Sequence, residues 1–318
     1  MPGIAVVTNP RSRQNRRNPR IAGQLSYLLG ERGEVAQPGN LEELVDTARR
    51  YRDREIDVLA INGGDGTAHV VLTAFARAYG DAPLPPVALL RGGTMNTVAS
   101  GLGLHGKPAS LLASLVDRYH RREPFALVER NLLRVDGAEP QYGFLFGNGI
   151  VSNFLEVYYE GSDPTPLKAA TVLIRGVASI LVGGALAKRL MRPTRVTIKT
   201  DTASWPAQDY LTVTAGTVDD MGLRFRPFPE APRHPGYMQV LGIACRPVDV
   251  LWQLVRMRMG LLTNHPDISS SLTRRFELQS DRPISYMIDG DFHMGGETLR
   301  VDVGPTVRLI LPDSEAGA

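Results

Sequence analysis

Cysteine is nearly absent: Cys245 stands alone in 318 residues, so no disulfide can form within the chain. That excludes a disulfide-stapled scaffold and leads us to expect a reducing compartment. No Cys/His cluster has the spacing of a structural zinc site. Charge of one sign is also scarce, with 36 Lys and Arg against 33 Asp and Glu. Aromatic residues are only 7% of the chain, and none interleaves with its densest run of arginines, so no nucleic-acid partner is expected. Long apolar runs are missing too. The most apolar one, Gly176 to Ala187, has twelve residues, whereas a bilayer-spanning helix needs about 20. The first residues, Met1 to Asn9, lack the basic and apolar regions of a signal peptide. The expectation is a cytoplasmic protein, at most peripheral at the inner face of the membrane.

What is present suits two globular domains of about 100–200 residues each. The composition, 43% hydrophobic and 22% charged, is ordinary, and disorder is expected only at ends such as Pro312 to Ala318. The first part alternates short apolar runs with helical patterns. Strands are expected at Gly3 to Thr8, Val58 to Ile61 and Val87 to Leu90. Helices are expected at Ile21 to Leu29, Leu41 to Arg54, Thr67 to Tyr79 and Pro108 to Arg121, with Asn40 and Glu43 forming a capping box. Such alternation makes an α/β domain on a parallel sheet. Near Pro124 the pattern changes to alternating segments, among them Arg195 to Lys199, Tyr210 to Thr214, Met238 to Ile243, Ile284 to Ile288, Leu299 to Val303 and Val307 to Leu311. They read as antiparallel strands of a β-rich second domain, interrupted by helices at Leu167 to Leu190 and Val248 to Met259. The domains are therefore placed at residues 1–125 and 126–303.

The strongest local signal is the buried strand that runs into Asn62-Gly63-Gly64-Asp65-Gly66-Thr67 and then a helix. Glycines let backbone N–H groups approach an anion, and the helix N-terminus adds partial positive charge. Asp65 would repel phosphate unless it holds a Mg²⁺ that bridges to it; the alternative is a helix cap in a tight turn. Val87 to Leu90 feeds a second loop of the same grammar, Arg91-Gly92-Gly93-Thr94-Met95-Asn96-Thr97, where Thr94 and Asn96 could bond a phosphate or base. Asn9-Pro10 ends the first strand and could reach the same edge. Five arginines, Arg11, Arg13, Arg16, Arg17 and Arg20, follow it, either as a solvated surface or as a contact for phosphate or an anionic membrane. In the second part, Ile288-Asp289-Gly290-Asp291 is a hairpin signal, and Asp289 by pattern alone is a turn residue.

The three motifs Gly63 to Thr67, Gly92 to Asn96 and Ile288 to Asp291, in this order and spacing, resemble the diacylglycerol kinase catalytic-domain family, which includes bacterial lipid kinases and sphingosine and ceramide kinases. Asn9-Pro10 matches its start, and Gly147-Asn148-Gly149-Ile150 the Gly-rich opening of its second domain. The resemblance implies an NAD kinase-like N-terminal α/β domain that binds ATP through both loops, a C-terminal β-sandwich-like domain, a site in the cleft between them, and a C-terminal segment near 304–318 that returns to the first domain. It implies ATP and Mg²⁺ as cofactors, Asn9, Gly63, Gly64, Asp65, Gly66, Thr67, Gly92, Gly93, Thr94 and Asn96 as nucleotide-binding residues, Asp65 as Mg²⁺ ligand, and Asp289 as the base that takes the acceptor's proton. The acceptor it implies is a lipid hydroxyl at a membrane surface. The chain departs from the family at Val70 (usually Glu), Thr97 (usually Asp), Ala215 (usually Asn) and His234-Pro235-Gly236 (usually Asp-Asp-Gly), which puts a second metal site in doubt.

The lipid expectation has one support of its own, the apolar stretch Thr171 to Leu186 flanked by Lys168, Arg175, Lys188 and Arg189. It reads either as a buried core helix or as a wall for acyl chains or a membrane. Competing readings are a soluble-substrate kinase of the NAD kinase type, whose Asn-Glu motif is missing, and a non-catalytic nucleotide or lipid binder. A homodimer through an open sheet edge is a further expectation for partners.

Overall fold

The computed structural model of the chain describes residues 3–137, 139–160 and 165–312. Asp313 to Ala318, within the end where disorder is expected, lie outside the described residues. The chain divides into two compact units, Met1–Arg130 with Pro305–Ala318, and Asn131–Gly304.

The first unit contains β1 (Ile4–Thr8), α1 (Arg13–Arg17), α2 (Ile21–Leu29), β2 (Gly33–Ala36), α3 (Leu41–Asp53), β3 (Val58–Asn62), α4 (Asp65–Tyr79), β4 (Val87–Leu89), α5 (Thr97–Gly101) and α6 (Pro108–Arg121). Every residue of β1 and β3 is buried, because a parallel strand covered on both faces needs a continuous apolar run rather than an alternating one. Parallel strands stand in the order β2-β1-β3-β4. The connections leave β1 in one direction and β3 in the other, so the topological switch point lies between them, where open α/β sheets hold ligands. Side chains such as Val6, Leu25, Leu90, Leu112 and Ile310 fill the core. Asn40 caps α3 as the sequence predicts, its side chain accepting from Glu43 N at 2.9 Å, whereas the return bond of the box shifts by one residue: Glu43 accepts from Gly39 N at 2.8 Å rather than from Asn40 N. β2 escaped the sequence reading because its four residues are only half-buried and include a glutamate.

The chain enters the second unit through β5 (Leu127–Val135) and continues as β6 (Gln141–Gly143), β7 (Leu145–Gly147), α7 (Ile150–Tyr159), α8 (Pro166–Leu181) and α9 (Ala185–Leu190). Then come β8 (Thr194–Thr200), β9 (Ser204–Tyr210), β10 (Thr212–Gly216), β11 (Met238–Ile243), α10 (Pro247–Arg258), β12 (Ile268–Thr273), β13 (Arg275–Gln279), β14 (Ser285–Ile288), β15 (Asp291–Met294) and β16 (Thr298–Ile310). One antiparallel sheet has the order β12-β11-β10-β7-β14-β15, and a second runs β16-β13-β8-β9. Their inner faces share one core, in which Phe146 meets Phe276 edge-on with ring centroids 5.5 Å apart. This is a sandwich-like, β-rich unit.

Two expectations are corrected. Leu299 to Val303 and Val307 to Leu311 are not two strands but one, β16. Residues 298–302 of it pair with β13, whereas Leu309 pairs in parallel with Val87 of β4. Gly304-Pro305 interrupts the side-chain pattern while the backbone stays extended, and the C-terminal segment thereby returns to the first sheet. Leu167 to Leu190 is not one helix: α8 stops at Leu181, and Gly183 at φ +65° turns the chain into α9. Nor is α8 a buried core helix, because Leu167, Ile174 and Leu181 are exposed. The sequence reading also missed α7. It starts at Gly149, where φ is +58° and a Cβ would lie 2.1 Å from the Leu211 carbonyl oxygen. No helix among the described residues is long and apolar enough to cross a membrane.

Candidate functional site

In the first unit the candidate residues gather at the carboxyl ends of β1, β3 and β4. The two glycine loops touch each other there. A Cβ on Gly93 would stand 2.1 Å from Gly64 Cα, and one on Gly64 would stand 3.0 Å from Gly93 Cα. A Cβ on Gly92 would meet Asn62 Oδ1 at 2.4 Å, and one on Gly63 would strike the Thr67 side chain at 2.3 Å. These glycines are thus required first by contact between the loops. The N-cap of α4 is Gly64, so no N-cap side chain bonds its first amides, which have no partner within the helix. Those amides carry the helix's positive end, a fit for an anion.

A polar network braces this edge. Asn9 Nδ2 donates to Thr67 Oγ1 at 3.0 Å, and Asn9 Oδ1 accepts from Arg11 N at 2.9 Å. Asn62 Nδ2 donates to Thr8 Oγ1 at 2.8 Å and to Asn15 Oδ1 at 3.2 Å, while Asn15 Nδ2 donates to the Asn9 carbonyl at 2.8 Å. Ser12 Oγ ties this group to the Gly92 carbonyl at 3.0 Å. Asn62 Oδ1, fully buried, has no hydrogen-bond partner among the described residues. The sequence reading named Asn9 and Thr67 but missed Thr8, Asn15 and Asn62. The available signal was Asn62 itself, a polar residue ending a buried strand.

Asp65 and Asn96 point elsewhere than expected from the motifs. The Asp65 carboxylate accepts from Val98 N at 3.4 Å, from the backbone and hydroxyl of Thr97 and from its own backbone N–H, so it caps the start of α5 from the first residue of α4. Burial pushes its carboxyl above the usual aspartate range, against the pull of those bonds. Thr97 takes part in this contact through both its amide and its hydroxyl. Asn96 sits in the left-handed region at φ +49°, and its side chain is turned into its own loop. It accepts from Gly93 N at 3.1 Å and donates to the Gly93 carbonyl at 3.2 Å. Thr94 is half-buried in the same loop.

Mg²⁺ commonly keeps one or two carboxylates and takes its other oxygens from nucleotide phosphates and water. Asp65 supplies one carboxylate and fits such a nucleotide-borne ion. A metal held by protein alone does not fit, since no group of three or more His, Cys, Asp or Glu could hold an ion among the described residues. His234 bonds the Glu230 carbonyl through Nδ1 at 2.9 Å, and Gly236 takes φ +82°, so His234-Pro235-Gly236 forms a turn.

In the second unit Asp289 is 6% exposed. Ile288 pairs with Asp291, leaving Asp289 and Gly290 as a two-residue hairpin turn at φ +46° and +92°, the pattern of a type I′ turn. Its carboxylate accepts from Phe144 N at 3.0 Å through both oxygens and from Leu145 N at 2.9 Å. Gly143 makes room for it, because a Cβ there would lie 2.6 Å from Asp289 Oδ2. Asp289 is therefore both a turn residue and a carboxylate locked in orientation. Two residues on, burial raises the Asp291 carboxyl to about 6 and lowers the His293 imidazole. Asn148, also missed as a single residue, is buried with Oδ1 accepting from Val213 N at 2.7 Å, and its Nδ2 has no partner among the described residues.

The sequence profile of the diacylglycerol kinase catalytic domain matches residues 3–127. No curated protein sequence matches the chain. The fold is shared with a diacylglycerol kinase from Bacillus anthracis strain Sterne, at 12% identity and a TM-score of 0.67 over 98% of this chain and 97% of that one. A yeast NADH kinase solved with NADH shares it less closely, at 10% identity and a TM-score of 0.51 over 99% of this chain and 84% of that one.

Proposed function

We propose, from the match of residues 3–127 to the diacylglycerol kinase catalytic-domain profile, that the chain transfers the γ-phosphate of ATP to a lipid hydroxyl. The observation that carries the reading is the Gly64–Gly93 contact, which sets two glycine loops side by side at the start of α4 and the switch point of a parallel sheet. Phosphoryl transfer is mainly positioning and charge neutralisation around a loose transition state. The amides of Gly63 to Thr67 would hold nucleotide phosphates. Mg²⁺, kept by Asp65 and the phosphates, would supply countercharge to the oxygens of the transferring group. Asp289 would accept the hydroxyl proton as the acceptor oxygen bonds to phosphorus and ADP leaves. Its fixed orientation suits a general base, whose loss costs typically about 10²–10⁴-fold in rate. The acceptor class is a diacylglycerol, a sphingoid base, a ceramide or a related lipid.

The test is transfer of label from γ-labelled ATP into mixed micelles of bacterial lipid extract, diacylglycerol, sphingosine and ceramide. An organic-phase product made by the wild type and lost in Asp289→Asn supports the reading. Labelling of NAD or another soluble acceptor instead would move the assignment to the NAD kinase type. ATP binding without turnover on either acceptor class would make the chain a binder, a reading favoured by the engagement of Asp65 with α5.

A further inference from the structure

The second glycine loop opens on a residue that does not suit its own backbone. Arg91, just past β4, has φ at +56°. That left-handed conformation is strained for a residue with a Cβ, whereas glycine adopts it freely. Arg122 shares it at φ +57°, but as the C-cap of α6, where left-handed residues are usual. Arg91 ends no helix. The chain has glycine at the next two positions, neither of them at positive φ, yet keeps arginine where the backbone favours glycine. Such strain persists where the side chain is needed.

The surroundings of the side chain point the same way. Arg91 is half-buried, and its Nε is shut off from solvent with no hydrogen-bond partner among the described residues. Nη2 reaches Ser100 Oγ at 3.4 Å, a long bond to an exposed residue. Arginines such as Arg50 and Arg275 have carboxylate partners in Glu34 and Asp302; Arg91 has none among the described residues. Asp65, the carboxylate of this edge, is held by Thr97 and Val98 instead. A cation drawn out of water is ordinarily paired, so the arginine wants an anion. The start of α4 is where the site would hold one. A Cβ on Gly92 would lie 3.0 Å from Gly63 N, which puts Arg91 Cα within roughly 8 Å of that amide. An extended arginine side chain covers that span. Its planar fork matches a phosphate group and stays charged at any working pH.

We propose that Arg91 binds a phosphate group of the nucleotide across the two glycine loops, adding a full positive charge to the partial charge of the α4 amides. This rests on the nucleotide reading of the edge and names a residue which that reading does not require. The test is calorimetric titration of the full chain with ATP at low and high salt, beside urea denaturation followed by circular dichroism, for wild type, Arg91→Gly and Arg91→Lys. Arg91→Gly unfolds at the wild-type urea concentration or above, because glycine accepts the left-handed backbone. It binds ATP about tenfold or more weakly, as expected for loss of a charge-assisted bond, and its affinity depends less on salt. Arg91→Lys keeps the charge without the fork and falls between the two. Unchanged ATP affinity in Arg91→Gly overturns the proposal and leaves the kinase reading standing. Weaker binding accompanied by a lower urea midpoint makes Arg91 a structural residue and overturns it as well. A wild-type chain that binds no ATP overturns the kinase reading itself, and this role with it.

Discussion

Gly93→Ala tests whether the contact between the glycine loops organises the site. The new Cβ would stand 2.1 Å from Gly64 Cα and 2.7 Å from Gly64 N. Carbon contacts settle near 3.5–4.0 Å, so the loops must part by more than about 1 Å. Both neighbours are backbone and cannot rotate away. Overpacking of this kind costs about 1–3 kcal/mol, and the upper end is expected here. Separation would also stretch the bond between Val98 N and Asp65, already 3.4 Å, and move the α4 amides relative to the second loop. Misplacement by about 1 Å can cost roughly 10²-fold in turnover. The stability assay is urea denaturation followed by circular dichroism, because both tryptophans lie in the second unit and would not report on the first. Gly23→Ala is the contrast. It lies in α2 with nothing within 4 Å of its added methyl and should stabilise by about 0.5–1 kcal/mol. A Gly93→Ala protein as stable as wild type, with unchanged ATP affinity and turnover, would refute the reasoning.

Other expectations follow from the same geometry. Asp289→Asn should lose about 10²–10⁴-fold in turnover, and it should also destabilise the second unit by about 1–3 kcal/mol, because its NH₂ would face the Phe144 or Leu145 amide; near-normal lipid phosphorylation would remove Asp289 from the base role. Asp65→Asn separates cap from metal ligand: a lower melting temperature with unchanged Mg²⁺ dependence of ATP binding assigns it to the α5 cap, whereas an altered Mg²⁺ dependence assigns it to the nucleotide-borne ion. The Asp291 carboxyl rises from 3.8 to about 6 on folding, so folding favours its protonated form. Its stabilising effect is complete below pH 3.8 and lost as pH rises through about 6. Asp291→Asn should therefore stabilise the protein by about 2–3 kcal/mol at pH 7.5 and by only about 0.5 kcal/mol at pH 4, as read by urea melts at both values; an equal gain at both would show that the effect is not the charge.

Local sequence was enough to determine the buried strands β1 and β3, the Asn40 cap and the hairpin at Asp289-Gly290. Each depends on neighbours within a few residues: continuous apolar runs, an amide acceptor three positions before its donor, and two residues that tolerate positive φ. The glycine loops and Asp289 were legible as motifs for the same reason. What those residues do was decided by contacts between distant parts of the chain. Gly64 needs to be glycine because Gly93 comes to rest against it, and Asp65 serves α5 because the first amides of that helix come to rest beside its carboxylate. Asn62 joins Thr8 and Asn15 only once β1 and β3 pair. Leu299 to Leu311 looked like two strands because Gly304-Pro305 breaks the side-chain period, yet hydrogen bonds to two different partners hold one extended backbone. Periodicity likewise could not say which face of α8 is covered. An apolar helix pattern is the same whether the stripe meets a core or solvent, and only the packed structure leaves Leu167, Ile174 and Leu181 in the open.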